Sequence, residues 1–575
     1  MYLPKQPVKV KESPFAVQKS RRFIAATGVA AFVTTAVASY FTLEKVRERQ
    51  RRPDGVLLQH RNGKRVVIVG AGAAGCALAA SITSACPDVH VTVIEREKKH
   101  VFHAVVPLAH VGHRSYDLNT TGGVDFLRSP ATWNVTREAA LVRGEVLRVD
   151  TTKNEVVVRE DQEALTVTAR AETSEQPSKN VLTWPMGLPS WLLGASLPPV
   201  NEHRYPYDVL VLACGAARSL GPLQKFLTGE QVDRYRIAVN PGITRDCLVH
   251  LYKGTVLHVK VPPTSFAEGA TGVRSISTMR YVSRQHDGTF IGTVNTVWRY
   301  LFFFNKQKFC PYMAVTADRG PSDALPIEVN ERVMDFWKQR SVNFMPCTYI
   351  THLDPRRSEA TLYNYQTQQK QVVNYQLLLL DLPLVAPEFI RKSGLSRSEA
   401  AEGFAEVNPH TLQHVNHANI FAIGDCAALP TVKSYGAVFA QVPVVSHNVQ
   451  QQLLHGAHGT GEMSNAAVRS RFARYDGYSS FHIVMTTWRA MWPEMTYGDW
   501  RDNLSFPTIT DAPLSLTNNH IWDNLAWADV RGFLNAVYYQ WFLYEVMFYF
   551  VFTRGAWYPP KWFSVPSFGD DGTML

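Results

Sequence analysis

The residues whose types and spacing point first to chemistry are Gly70-Ala71-Gly72-Ala73-Ala74-Gly75, which fit G-x-G-x-x-G. In that pattern the first glycine allows a tight turn, the second lets backbone approach a pyrophosphate, and the third lets a helix pack closely on a strand. Glu95 follows about twenty residues on, where a carboxylate can accept the hydroxyls of a ribose. The chemistry implied is binding of a dinucleotide, with its phosphates against a helix N-terminus. A glycine-rich turn in an unrelated α/β fold is the competing reading. A second acidic turn, Gly424-Asp425, follows the apolar run Ile420–Ile423; a carboxylate at the start of a helix there can bond a ribityl chain.

These residues need elements to hold them. Val66–Val69 is apolar and β-branched and reads as a buried parallel strand; Cys76–Ser84 is small and apolar and reads as a helix; Val89–Ile94 reads as a second strand. Leu141–Val149 with Glu155–Val158 reads as a hairpin, and Tyr207–Leu212 as a strand returning to the first sheet. Further along, Val256–Val261 and Gln376–Leu382 read as strands, Val329–Arg340 and Tyr435–Gln451 as helices, and Arg299–Phe304 as an aromatic run. Residues 160–205 are polar and then rich in Pro and Trp, and read as an insertion. Gly269-Ala270-Thr271-Gly272, where a nicotinamide-binding fingerprint would fall, does not fit G-x-G-x-x-G. One dinucleotide signature favours FAD without NAD(P)H.

Other candidate chemistry is weaker. The seven cysteines, Cys76, Cys86, Cys214, Cys247, Cys310, Cys347 and Cys426, contain no C-x-x-C, so neither a disulfide framework nor a zinc site is expected. The four histidines of His100–Tyr116 have no carboxylate or cysteine at ligand spacing and read as core or loop residues, with no metal.

The net charge of +10 raises the question of nucleic acid, but its distribution argues against it. Residues 1–52 hold eleven Lys/Arg and three Glu, most of the excess, so the basicity belongs to a tail. Within the tail, Phe23–Leu43 is free of charge for 21 residues, enough for a helix to cross a bilayer. It reads as a membrane anchor, with a cleaved targeting segment or a buried helix as alternatives. The basic residues before it suit a mitochondrial address. At the other end, Phe533–Phe552 carries one charge, Glu545, and is dominated by aromatics, which suits a membrane interface or a helix buried in this protein or a partner.

Taken together, the glycine fingerprint with Glu95, YDVLVLACG, NPHTLQHVNHANIFAIGDCAALPTVKSYGAVFAQ (408–441) and RYDGYSSFHIV (474–484) resemble the mitochondrial-type sulfide:quinone oxidoreductases, among the two-dinucleotide-binding-domain flavoproteins. The resemblance covers roughly Lys64 to Phe563. It implies flavin contacts at Gly70, Gly72, Gly75, Glu95, Gly424, Asp425, Lys433 and Gln441, and a quinone as further ligand. The family's two redox cysteines are not matched: their positions fall near Glu268 and at Phe481, neither of which can be a sulfur nucleophile.

The expected fold class is therefore α/β with two Rossmann-type domains, the FAD domain discontinuous, plus an N-terminal transmembrane helix and a C-terminal aromatic membrane-contacting helix. The expected boundaries are an anchor segment 1–60, a first FAD-binding segment 64–250, a second α/β domain 255–385, a second FAD-binding segment 386–475 and an interface region 476–575. The expected function is an FAD-binding protein of the mitochondrial inner membrane, anchored as a subunit of a membrane complex and without sulfide oxidation. Its partners would be membrane lipids and other subunits, with no nucleic acid. The alternative is an active FAD-dependent, quinone-reducing dehydrogenase with another donor, in which Glu268 handles protons. Whether the chain is an enzyme is left open.

Overall fold

The frame is a seven-stranded sheet in which β1 (Arg65–Val69), an inner strand, is the run that precedes the glycines. Val66, Val67, Ile68 and Val69 are all buried, and burying such side chains stabilises by roughly 1.5–3 kcal/mol each. The computed structural model describes residues 63–111, 127–128, 139–160, 202–266, 286–396, 403–455, 471–497, 514–516 and 530–543, apart from a few positions within these ranges.

After β1 come α1 (Ala73–Ala85), β2 (His90–Glu95), β3 (Ala140–Asp150), β4 (Glu155–Glu160), β5 (Glu202–Pro206) and β6 (Val209–Leu212). A short strand from far along the chain, Ile420–Ala422, pairs parallel with β6. β6, β1, β2 and β3 are mutually parallel, and β3, β4 and β5 continue the sheet as an antiparallel meander. The strand order reverses direction around β1, between β6 on one side and β2 on the other. Ligands of open α/β sheets bind at the carboxyl ends of strands at such a switch point.

A second sheet takes its strands from 256–381. It contains β7 (Val256–Lys260), β8 (Tyr312–Thr316), β9 (Asn343–Met345) and, beside β7, Leu377–Asp381, all parallel. Three antiparallel strands between Thr348 and Asn374 form a sheet of their own. Around these sheets lie the helices α2 (Pro241–His250), α3 (Thr289–Phe303), α4 (Ile327–Gln339), α5 (Tyr435–His455) and α6 (Val530–Val537).

The strand and helix expectations are met within a few residues. The aromatic run Arg299–Phe304 is the last turn and end of α3. One local expectation needs correcting. Gly424-Asp425 does not open the long helix: Gly424–Cys426 is a single 3-10 turn and α5 starts only at Tyr435. Gly424 has φ +73°, and after Cys426 the backbone is extended again at Ala427, so the turn stops before the helix.

Phe23–Leu43 and most of the 160–205 insertion lie outside the described residues. Among the described residues no helix is long and apolar enough to cross a membrane. The described stretch of the C-terminal aromatic run packs inward on one side. Ala536, Tyr539, Phe542 and Leu543 are buried, while Leu534 and Trp541 are exposed. Tyr539 donates its hydroxyl to the carbonyl of Ala104 at 2.6 Å, and Gln540 donates to that of Thr487 at 2.9 Å.

Candidate active site

The glycine loop is held from both sides. Gly70 N–H donates to the carbonyl of Ile94 at 2.7 Å, tying the turn to the end of β2. A Cβ on Gly70 would stand 2.5 Å from the carbonyl oxygen of Ala213, and one on Gly75 would stand 1.8 Å from that of Gly70. Both positions therefore need glycine for packing. Gly72 differs: a Cβ there would meet nothing within 4 Å. What the motif asks of Gly72 is thus space on the open side, at the N-terminus of α1, where free N–H groups and the helix dipole favour an anion. No acidic side chain stands in the first turn of α1 to fill that role.

Glu95 ends β2 and turns back on the loop. Its carboxylate accepts the N–H of Ala71 at 2.6 Å and that of Glu97 at 2.7 Å. Two backbone donors fix its orientation and leave further lone pairs for a ligand's hydroxyls.

From this loop a cavity of about 570 Å³ runs to Gly424, Asp425 and Lys433, and on to a wall made by Tyr478, Phe481, His482, Trp492, Tyr538 and Tyr539. Gly424 is set by Gln441 of α5, whose Oε1 accepts its N–H at 2.9 Å; the Gln441 amide in turn donates to Tyr475. Gln441 is buried behind the turn and does not line the cavity. Lys433 lines the cavity, but its ammonium donates to the carbonyls of Asp425 at 2.8 Å and Ala427 at 3.1 Å and lies 4.1 Å from the Phe404 ring. Both residues hold the acidic turn in shape. Of the two positions opposite the redox cysteines, Phe481 lies in the wall and Glu268 lies outside the described residues.

Several residues that line the site were not expected there from the sequence. His110 of the four-histidine segment lines the cavity and is 2.8 Å from the hydroxyl of Thr244. His258, in β7, is 2.8 Å from the Tyr312 hydroxyl and packs its ring edge against Phe290. Burial and the neighbouring His110 push its pKa down to about 3, so it is neutral. His482 is likewise lowered to about 3 by burial; its ring stacks on Trp492 and Tyr539, and its Nε2 has no hydrogen-bond partner among the described residues. These side chains meet because β7, β8 and the loop after Gly477 converge on the cavity, and single-chain patterning carries no record of that.

Among the described thiols, Cys214 lines the cavity beside Gly70 and Cys426 lies behind it, where its Sγ bonds to the carbonyls of Leu212 and Ile423 at 3.3 Å. The two interact. The contact between them, with burial, raises the pKa of Cys214, while the same contact and the Lys433 ammonium lower that of Cys426.

The geometry suits FAD: an open glycine cradle, an oriented carboxylate, a second acidic turn and a large apolar end. Bound there, FAD would supply a two-electron acceptor.

Comparison with known proteins points the same way. Residues 64–237 match the pyridine nucleotide-disulphide oxidoreductase family. The chain is 29% identical over 175 residues to the mitochondrial sulfide:quinone oxidoreductase of Dictyostelium discoideum, covering 30% of this chain and 35% of that protein. It is 36% identical over 110 residues to that of Schizosaccharomyces pombe, covering 19% and 20%. The matched stretches thus span about a third or less of these relatives' own length. In structure it resembles the sulfide:quinone oxidoreductase of Aquifex aeolicus, with TM-score 0.55, 13% identity and coverage of 84% and 91%. It also resembles a chain in the Tetrahymena thermophila mitochondrial ATP synthase, with TM-score 0.57, 16% identity and coverage of 89% and 100%. At these identities the structural likeness speaks for the fold alone.

Proposed function

From the premise that the chain is a sulfide:quinone oxidoreductase-like flavoprotein, we propose that it binds FAD without oxidising sulfide and serves as an anchored subunit of a mitochondrial membrane complex. The observation that carries this is the asymmetry of the cavity. Its nucleotide end keeps Gly70, Gly72, Gly75, Glu95 and Gly424 in a working frame, while at the other end Phe481 presents an aromatic ring where the family has a sulfur.

Gly72 and the N-terminus of α1 would hold the pyrophosphate, Glu95 the ribose, and Asp425 the ribityl chain. The aromatic wall would exclude water from the ring system. A bound cofactor can stabilise a fold whether or not it turns over.

The second sheet supports the absence of a nicotinamide site. Lys260, the last residue of β7, donates to Asp318 beyond the end of β8 at 2.8 Å, both almost fully buried. Asp318 also accepts the N–H of Asp323. This buried ion pair stands at the carboxyl ends of β7 and β8, the side of a parallel sheet from which a second dinucleotide would be bound.

The mitochondrial relatives support the location, and the T. thermophila ATP synthase chain supports the subunit role, since a membrane complex there carries a chain of this fold. Native purification of the full chain from membranes tests the proposal. We expect about one flavin per chain, co-migration with a large assembly, and retention in the membrane pellet at alkaline pH that is lost on deleting residues 1–52. A colourless, well-folded, freely soluble protein would refute it.

A further inference from the structure

α3 begins at the cavity and ends at the surface. Thr289, Gly292 and Thr293 of its first turns line the cavity, and its 15 residues span about 22 Å. At the far end Phe302, Phe303 and Phe304 are 57%, 79% and 53% exposed, and Phe309 is 63% exposed. This aromatic crest is held rigidly. Asn305 takes φ +54°, its N–H bonds to the carbonyl of Phe302 at 3.0 Å, and the N–H of Lys306 bonds to that of Leu301 at 2.7 Å. That is a Schellman closure, with the left-handed residue just past the helix end.

The crest continues onto α2. The Lys306 ammonium donates to the carbonyls of Leu248 and Val249 at 3.1 and 3.3 Å and lies over the Tyr252 and Tyr300 rings. Gly254 N–H donates to the carbonyl of Phe309 at 2.9 Å. Val249 and Tyr252, both exposed, therefore belong to the same surface.

Its charge is one-sided. Arg245, Lys253 and Lys308 are exposed around it. Across residues 241–254 and 299–311 the one acid is Asp246, which lies 3.6 Å from Arg236. Arg299 sits one turn before Phe303 on the same helix face. Its Nη1 is buried with no hydrogen-bond partner among the described residues. A buried guanidinium donor left unpaired is costly, so this end of α3 carries a positive group as well as its aromatics.

We propose that this corner docks on an anionic phospholipid surface. The four phenylalanines enter the boundary between headgroups and acyl chains, and Arg245, Lys253 and Lys308 meet the phosphates. Protein interfaces also use phenylalanine but are depleted in lysine at their core. A projecting aromatic crest ringed by cations is the pattern of interfacial membrane contact. This contact is independent of both chain ends and of the flavin reading.

The test is local, so that attachment elsewhere does not mask it. The full chain carrying Phe303→Cys is labelled with an environment-sensitive fluorophore, and identically treated wild type supplies the background from native cysteines. On vesicles of phosphatidylcholine with phosphatidylglycerol the probe should shift to the blue and be quenched by shallow doxyl lipids. On phosphatidylcholine alone the shift should be smaller. Adding Lys253→Gln and Lys308→Gln should move the emission back toward its aqueous position, as should Phe302→Ser with Phe304→Ser. All four sites are exposed, so folding is spared. A vesicle-bound protein whose probe stays in water overturns the proposal. So does a probe that is buried only by a protein partner in the absence of lipid.

Discussion

Gln441, from the second turn of α5, accepts the backbone N–H of Gly424 at 2.9 Å, so a helix side chain fixes the left-handed turn that presents Asp425 to the cavity. Gln441 is buried, and it also donates to Tyr475. Gln441→Leu takes the acceptor from the half-buried Gly424 N–H and a bond from the Tyr475 hydroxyl, which keeps the Tyr478 carbonyl, at a cost of about 1–2 kcal/mol. We expect a lower Tm in thermal melts and flavin that is lost on gel filtration. Gln441→Glu keeps the acceptor for Gly424 and should retain more flavin than Gln441→Leu.

The glycines of the loop separate folding from ligand binding. Gly75→Ala places a methyl 1.8 Å from the Gly70 carbonyl, so α1 must move off β1. Loss of soluble, folded protein is expected. At Gly72 the backbone is extended and the space around a Cβ is open. Gly72→Val should therefore fold normally yet occupy the ground a pyrophosphate needs. Circular dichroism and flavin absorbance of the purified variant check this. A Gly72→Val protein with full flavin content would place the phosphates elsewhere.

Much of this site was legible because it rests on local rules. A β-branched run, three glycines with distinct steric duties and an acid at a strand end are all written within residues 66–95. The Gly424-Asp425 turn was legible as a motif but not as geometry, because only the fold shows that Gln441 sets its conformation and that Lys433 braces it from within. The histidines and tyrosines of the cavity wall were not legible. His110 sits in the four-histidine run and His482 in the 474–484 motif, but sheet order and long-range packing, not either pattern, bring them with His258 to one cavity.

The same histidines predict a pH response. The folded pKa values of His258 and His482 are lowered to about 3 by burial, with His110 adding to the effect at His258, while an unfolded histidine titrates near its ordinary value of about 6.5. The unfolded chain thus binds more protons below that value. Stability is fully present above it and is lost as pH falls toward 3, by up to about 1.4 kcal/mol per unit for each histidine. Thermal melts from pH 7.5 to 5 should show Tm falling below about pH 6.5. His258→Gln, which cannot protonate, should lower Tm at neutral pH but flatten that slope. An unchanged slope would assign the acid sensitivity to other groups.

Sulfide should not reduce the flavin at an enzyme's rate. The resemblance implies a relay between two cysteines, in which sulfane sulfur is held on the pair and a thiolate reacts with the flavin. Phe481 stands in the cavity wall with a ring and no thiol. Glu268 offers a carboxylate, which neither accepts sulfane sulfur nor exchanges with a disulfide. Free sulfide meeting the flavin directly would forgo the advantage of a held nucleophile, worth up to about 7–11 kcal/mol in favourable cases. Cys214 and Cys426 are the thiols that would compete for the role, but they lie beside Gly70 and behind the acidic turn, at the nucleotide end rather than at the aromatic wall. Anaerobic stopped-flow absorbance at the oxidised flavin band, with sulfide and a quinone analogue, decides the matter. Rapid bleaching that survives in Phe481→Ala and disappears in Cys214→Ser would transfer the chemistry to the Cys214–Cys426 pair and sink the inactive reading. Slow or absent bleaching in wild type, with sulfide-dependent bleaching gained by the double variant Glu268→Cys, Phe481→Cys, would mean that the site has lost its sulfurs and kept its frame.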